Sequence, residues 1–341
     1  MNKKDEIKNK KTVARRNFLR AFGTVFATGS VVAVSGNLLK KAIDKKNSAQ
    51  SNFRIFGEST FVSPYKHVAS FDMENTVRCF EYHNDRLYIA DDRKISIFDI
   101  EGNRLADFAV AGNDFVRDIA VSRDRIYLLF PARIDVCSMS GEKLQTIEAC
   151  SENSDYCSFA ISSEEEIFVT DAANKHICKY SSEGNFVKFI NSPNRFIIPS
   201  YTFGIDIAEN IVYCSNSGRH QIEKYTLDGE YIESFGKAGS EAGSFTGCCN
   251  PVHIAGSSTG DIITSEKGNP RISCYGKDGN FRCILLDSKL IGNGNKACDV
   301  KACGDKLYVA TARKVSIFAF DRNFAAQTAC GTCAIDCPLH L

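Results

Sequence analysis

The sequence predicts an all-β fold, a six-bladed β-propeller, from three observations. Short β-type runs fill most of the chain, an acidic-or-polar residue plus Gly recurs at a near-fixed interval, and one N-terminal run lacks strand partners nearby. The clearest copy spans 201–236, with the runs FGIDIA, NIVYCS, QIEKYTL and YIESFG separated by Asn, Gly and Asp turn residues. One four-stranded meander has two open edges and cannot bury both faces alone, so it must be one of a set.

The recurring turns are Glu101-Gly102, Ser140-Gly141, Glu183-Gly184, Asp228-Gly229 and Asp278-Gly279, with a Gly-less equivalent at Asp321-Arg322-Asn323. Successive glycines lie 39, 43, 45 and 50 residues apart, the spacing of four-stranded blades. Six segments precede these turns in the same order, from RLYIADDRKISIFDIEG to KLYVATARKVSIFAFDRN, which makes six blades. The run HVASF (67–71) reads as a fourth strand without its own first three. In a closed ring it completes the last blade and removes the open edges. The competing architecture, two stacked β-sandwiches, does not keep so regular a period.

Between second and third strands stand DAANKHI (171–177), NSGRHQI (216–222) and EKGNPRI (266–272). These resemble the NHL repeat family, in which an Asp or Asn, small residues, a basic-polar pair and Ile precede an aromatic-rich third strand. The resemblance covers about residues 65–325, strongest in blades three to five. It implies a six-bladed propeller used mostly for binding, with a minority of lyases and hydrolases.

Composition bounds the partners. The 341 residues are 43% hydrophobic, enough for a sizeable core, and 42 basic against 41 acidic residues leave a formal charge of +1. Such a balance implies no long basic face and argues against nucleic acid as a partner. Trp is absent, so binding proceeds without indole stacking.

Residues 1–39 differ from the rest. Five lysines lead into Arg15, Arg16, Phe18 and Leu19, then the uncharged stretch AFGTVFATGSVVAVSGNLL. A basic region, paired arginines and a mild apolar run resemble a twin-arginine export signal. Cleavage after Ser35 and retention as a membrane anchor both stay open, since 19 residues approach the ~20 needed to span. The predicted organisation is therefore a signal or anchor (1–39), a linker (40–62), the propeller (63–325) and a Cys-rich tail (326–341), placed in the periplasm or on the outer side of the membrane.

The first strand of each blade lines the central channel, so its polar residues are candidates for a ligand site: Arg117, Asp118, Ser158, Asp206, His253 and Asp299. The alternative is that they pair with one another or hold channel waters. Fifteen cysteines is an odd count, and those inside strand runs (Cys79, Cys137, Cys178, Cys214, Cys274, Cys283) read as small core residues. Cys248 and Cys249 are adjacent in the longest insertion, just before the strand carrying His253. They read either as metal or cluster ligands or as two disulfides, with Cys298 and Cys303 as partners.

The tail places Cys330, Cys333 and Cys337 before Pro338, like the last three cysteines of a bacterial ferredoxin run. Gln327 stands where the first would be, so a self-contained two-cluster domain is excluded. An iron–sulfur cluster with a ligand from elsewhere, disulfides or a decayed motif, and a zinc-type site remain as three readings. No phosphate-cradling Gly loop or HExxH is present. The sequence thus predicts an exported propeller acting as a binding or accessory subunit with a protein partner in envelope electron transfer. A plain binding propeller with disulfides and a channel-based lyase or hydrolase around His253 and Asp206 are the alternatives.

Overall fold

A computed structural model describes residues 61–324 apart from 111 and 113. The segment 1–39, most of the 40–62 linker and the tail 326–341 lie outside the described residues. No helix among the described residues is long and apolar enough to cross a membrane.

The strands form six four-stranded antiparallel sheets. Blade one holds β2(Cys79–His83), β3(Arg86–Ala90), β4(Lys94–Asp99) and β5(Arg104–Ala109), and blade two holds β6(Asp118–Ser122), β7(Arg125–Phe130), β8(Arg133–Ser138) and β9(Lys143–Glu148). Blade three comprises β10(Tyr156–Ile161), β11(Ile167–Asp171), β12(His176–Tyr180) and β13(Phe186–Ile190); blade four, β14(Ile205–Ala208), β15(Ile211–Asn216), β16(Gln221–Thr226) and β17(Tyr231–Phe235). Blade five is β18(His253–Gly256), β19(Ile262–Ser265), β20(Ile272–Tyr275) and β21(Phe281–Leu286). Blade six takes β22(Asp299–Cys303), β23(Lys306–Thr311) and β24(Lys314–Phe320), and its outer strand is β1(Tyr65–Asp72) from the other end of the propeller. The register runs from Tyr65 opposite Phe320 to Asp72 opposite Lys314, as the HVASF run predicts.

Each inner strand neighbours the next, and β22 neighbours β2, so the ring closes. Six apolar clusters fill the six seams between blades. One packs Ile97 and Tyr88 of blade one against Ile126 and Leu128 of blade two. Another packs Ile263 and Ile272 against Val300 and Leu307. Burying one such side chain is worth roughly 1.5–3 kcal/mol, so stability resides between blades rather than within them.

The motif after each second strand has a mechanical role. Asp171 Oδ1 accepts from the Asp155 amide (3.1 Å), Asn216 Oδ1 from Ile197 (2.9 Å) and Glu266 Oε2 from Thr246 (3.3 Å). In each case a buried polar group ties down the crossing segment that enters the inner strand of its own blade. Glu266 is also paired with buried Arg271, Nε to Oε1 at 2.6 Å.

The turn glycines are needed twice over. Gly141 has φ +86°, and a Cβ there would stand 2.3 Å from Cγ of Phe108 on the outer strand of the preceding blade. Gly184, Gly229 and Gly279 meet Ile147, Ile190 and Phe235 in the same way, and Gly102 meets Phe71 of the closing strand. Gly141→Ala should therefore cost about 2–4 kcal/mol in chemical denaturation. Gly268→Ala, at the same φ of +86° with nothing within 4 Å, should cost only about 1–2 kcal/mol. Equal losses in the two variants would refute the packing half of the explanation.

Candidate functional site at the channel mouth

Alternation along the inner strands stacks two tiers of side chains on the channel face. In the upper tier Asp118 lies opposite Leu129, His253 opposite Ser265 and Asp299 opposite Ala310. Two residues further along, Glu81, Asp206 and Lys301 lie opposite Tyr88, Tyr213 and Tyr308. The tyrosines at that register, on the second strands, are buried.

The carboxylates join neighbouring blades. Asp118 Oδ2 accepts from the Ser158 hydroxyl (2.6 Å) and the Phe159 amide (3.2 Å), both in the next blade. Asp299 Oδ2 accepts from the Phe80 amide (3.2 Å) across the closing seam, and Asp206 Oδ2 from the Gly256 amide (2.7 Å). So these aspartates are neither idle nor paired with one another. They satisfy backbone donors that the ring's geometry leaves between sheets.

Lys301 is the counter-charge. Its ammonium lies 2.8 Å from Glu81 Oε2, with side chains 21% and 18% exposed. Burial pulls the ammonium's pKa down, but Glu81, Asp206, Asp299 and Asp118 together drive it well above the usual range, so it stays charged. Burial raises the Glu81 carboxyl to about 7, with Lys301 opposing the shift. Burial likewise raises Asp118 and Asp206, again against the pull of Lys301.

Above these tiers opens a cavity of about 240 Å³ lined by Arg117, Asp118, Ser158, His253, Asp299 and Lys301, among others. Arg117 is held by Asp155 (2.6 Å) and donates to the Tyr156 carbonyl (3.0 Å). His253 Nδ1 lies 3.6 Å from Asp299 Oδ1, and the imidazole is 39% exposed. An adjoining groove of about 310 Å³ is lined by Arg78, Phe115, Val116, Arg117, Cys157 and Tyr201. Arg78 is paired with Asp92 and its guanidinium stands 4.5 Å from the Phe115 ring centre. Phe115 and Tyr201 are both exposed at this rim.

Cys248 and Cys249 hold their sulfurs 3.3 Å apart, the first exposed and the second buried. Burial pushes the Cys249 thiol up, but Lys267, Cys248 and Ser200 outweigh it, and the thiol sits below its ordinary value. Ser200 also lines the channel cavity, which places this sulfur pair beside the mouth. Cys298 instead contacts Ser265 (Sγ–Oγ 3.4 Å), and Cys303 closes the far end of β22. Among the described residues Cys248, Cys249, Cys298 and Cys303 carry free thiols.

The structure thus gathers Arg117, Asp118, His253 and Asp299 at one mouth, with Asp206 a tier below and Cys248 and Cys249 at the edge. Arg15, Arg16, Phe18 and Leu19, and Cys330, Cys333 and Cys337, lie outside the described residues. Sequence reasoning missed Lys301, Glu81 and Arg78. Period-two alternation from Asp299 reaches Lys301, and the blade-one strand CFEYH carries Glu81, so both signals were present in the chain.

No protein-family model matches the chain, and no curated protein does. Solved structures match its fold. A catalytically inactive histidine-to-alanine virginiamycin B lyase from Staphylococcus aureus, with quinupristin, is 16% identical with a TM-score of 0.53 over 72% of this chain and 80% of that one. A structural-genomics protein of unknown function from Bacteroides thetaiotaomicron is 12% identical with a TM-score of 0.58, covering 75% and 72%. The Pan2 WD40 domain of Neurospora crassa is 10% identical with a TM-score of 0.53, covering 76% and 97%. These likenesses establish the propeller fold.

Lys301→Met should destabilise the ring by about 3–5 kcal/mol, because it leaves carboxylates buried without a counter-charge. Adding Glu81→Gln should recover part of the loss in urea unfolding. With its carboxyl at about 7 in the folded protein and near 4.5 unfolded, Glu81 binds more protons when folded. Its contribution to stability therefore falls as pH rises from about 4.5 to 7, and Glu81→Gln should flatten that slope.

Proposed function

We propose that this chain is a binding propeller whose channel mouth takes a small zwitterion, such as an amino acid or short peptide. The observation that carries the reading is the polarity split of one opening. Arg78 and Arg117 stand beside exposed Phe115 and Tyr201 in the groove, while Asp118 and Asp299 line the adjoining cavity, with Lys301 between them and the deeper carboxylates as counter-charge. A ligand carboxylate suits the guanidinium forks, an apolar flank suits the two rings, and an ammonium suits the aspartates.

Export through the twin-arginine-like segment and a protein partner in the cell envelope belong to the same reading. So does electron transfer through an iron–sulfur centre at Cys330, Cys333 and Cys337, which rests on the tail's sequence alone. Iron and sulfide analysis of anaerobically purified full-length protein tests that component separately. A colourless, iron-free preparation would remove it and leave the channel reading intact.

A second reading, a lyase or hydrolase, is favoured by one observation. His253 is half-exposed at the mouth with Asp299 Oδ1 3.6 Å from its Nδ1, a separation that a small closure on a ligand would turn into the hydrogen bond of an oriented general base. One structural neighbour is a lyase whose inactive form carries a histidine-to-alanine change.

A calorimetric screen of amino acids and di- and tripeptides tests both readings. Arg117→Ala should weaken binding of any hit about tenfold or more. His253→Ala should leave binding within about threefold under the binding reading, whereas conversion of the hit that His253→Ala abolishes would establish the enzyme. A screen without hits, or binding indifferent to Arg117→Ala, would defeat the channel-mouth assignment.

A further inference from the structure

Away from the channel, the seam between blades two and three holds a second cluster of chemistry-bearing groups. Cys150 follows β9, and His176 and Cys178 stand on β12, two residues apart and therefore on one face of the strand. Their ligand atoms, two sulfurs and a ring nitrogen, all lie within 4.8 Å of one another, the one such triplet of Cys, His, Asp or Glu among the described residues. We propose that Cys150, His176 and Cys178 bind a zinc-class divalent metal ion that clamps blade two to blade three.

Four observations carry this. The two sulfurs are 3.2 Å apart. Thiolates about 2.3 Å from a tetrahedral zinc stand about 3.7 Å apart, whereas a disulfide needs about 2.05 Å, so the pair is nearer to metal geometry. His176 Nε2 is buried with no hydrogen-bond partner, a polar atom placed where nothing in the fold needs one. Asp171 Oδ2 lies 3.8 Å from that nitrogen, beyond hydrogen-bond reach, so it leaves the ring nitrogen open to a ligand. Finally, the Tyr156 hydroxyl lies 3.6 Å from Cys150 Sγ and also accepts from the Cys150 amide (3.3 Å), so a polar oxygen borders the sulfur pair. Two thiolates with an imidazole select zinc over calcium or magnesium, whose preferred donors are oxygens. The site is independent of the channel reading and of the tail.

The test uses the full-length chain, purified anaerobically and loaded with zinc, in a Cys330→Ser/Cys333→Ser/Cys337→Ser background so that tail thiols do not contribute. Zinc affinity is read by competition with a chromophoric chelator. Cys150→Ser and His176→Ala should each lower affinity about 100-fold, and Cys150→His should restore most of it. Should these variants not fold, alkylation mapping of the unaltered chain takes their place: Cys150 and Cys178 should react with iodoacetamide only after the metal is stripped. Unchanged affinity in folded variants, alkylation indifferent to the chelator, or a Cys150–Cys178 disulfide in the anaerobic protein would overturn the assignment.

Discussion

A four-stranded blade has two faces to bury and two edges to satisfy, and closure into a ring is what deals with the faces. In this protein closure depends on one pairing, that of β1 with β24, which brings the two ends of the propeller into a single sheet. Through it Tyr65 joins the apolar cluster of blades five and six, and Phe71 comes to rest against Gly102 of blade one. Every seam cluster draws on two blades, so none can form fully until its neighbour is in place. The ring is thus held by its circumference, and the channel it encloses is a consequence of that packing.

The channel inherits an electrostatic problem from the same geometry. Inner strands of adjacent blades diverge enough to leave amides such as those of Phe80, Phe159 and Gly256 without sheet partners, and aspartates supply the acceptors. Several carboxylates in one narrow space repel one another, and Lys301 relieves this from the deeper tier. The polar residues of the channel therefore carry the architecture first. What remains for a ligand is the mouth, where Arg78, Arg117, His253, the exposed rings and the carboxylates of Asp118 and Asp299 line one opening. The same logic separates the two sulfur-bearing sites: Cys248 and Cys249 sit at the rim, whereas Cys150 and Cys178 sit in a seam.

Much of the fold was legible because it rests on local chemistry repeated six times. Gly102, Gly141, Gly184, Gly229 and Gly279 punctuate the chain because a left-handed turn and a tight contact recur in each blade. Asp171, Asn216 and Glu266 recur because each crossing segment needs an anchor. The candidate site was legible in part, since alternation on inner strands exposes Asp118, Asp206, His253 and Asp299. Arg78 escaped because it lies just before its strand, and its role comes from Phe115 and Arg117 in the next blade. Cys178 was legible as a buried strand residue but not as a partner of Cys150, because 28 residues of chain separate them.

By itself the sequence determined the number of blades, their strand order, the turns and the strand that closes the ring, because these follow from short-range patterns and a fixed period. The tertiary structure alone decided which charges meet. That Lys301 faces Glu81 across the closing seam, that Asp118 serves an amide of the following blade, and that Cys150 approaches His176 and Cys178 all depend on contacts between blades. Such contacts have no sequence period of their own, since each is set by the rotation from one blade to the next rather than by residues nearby in the chain.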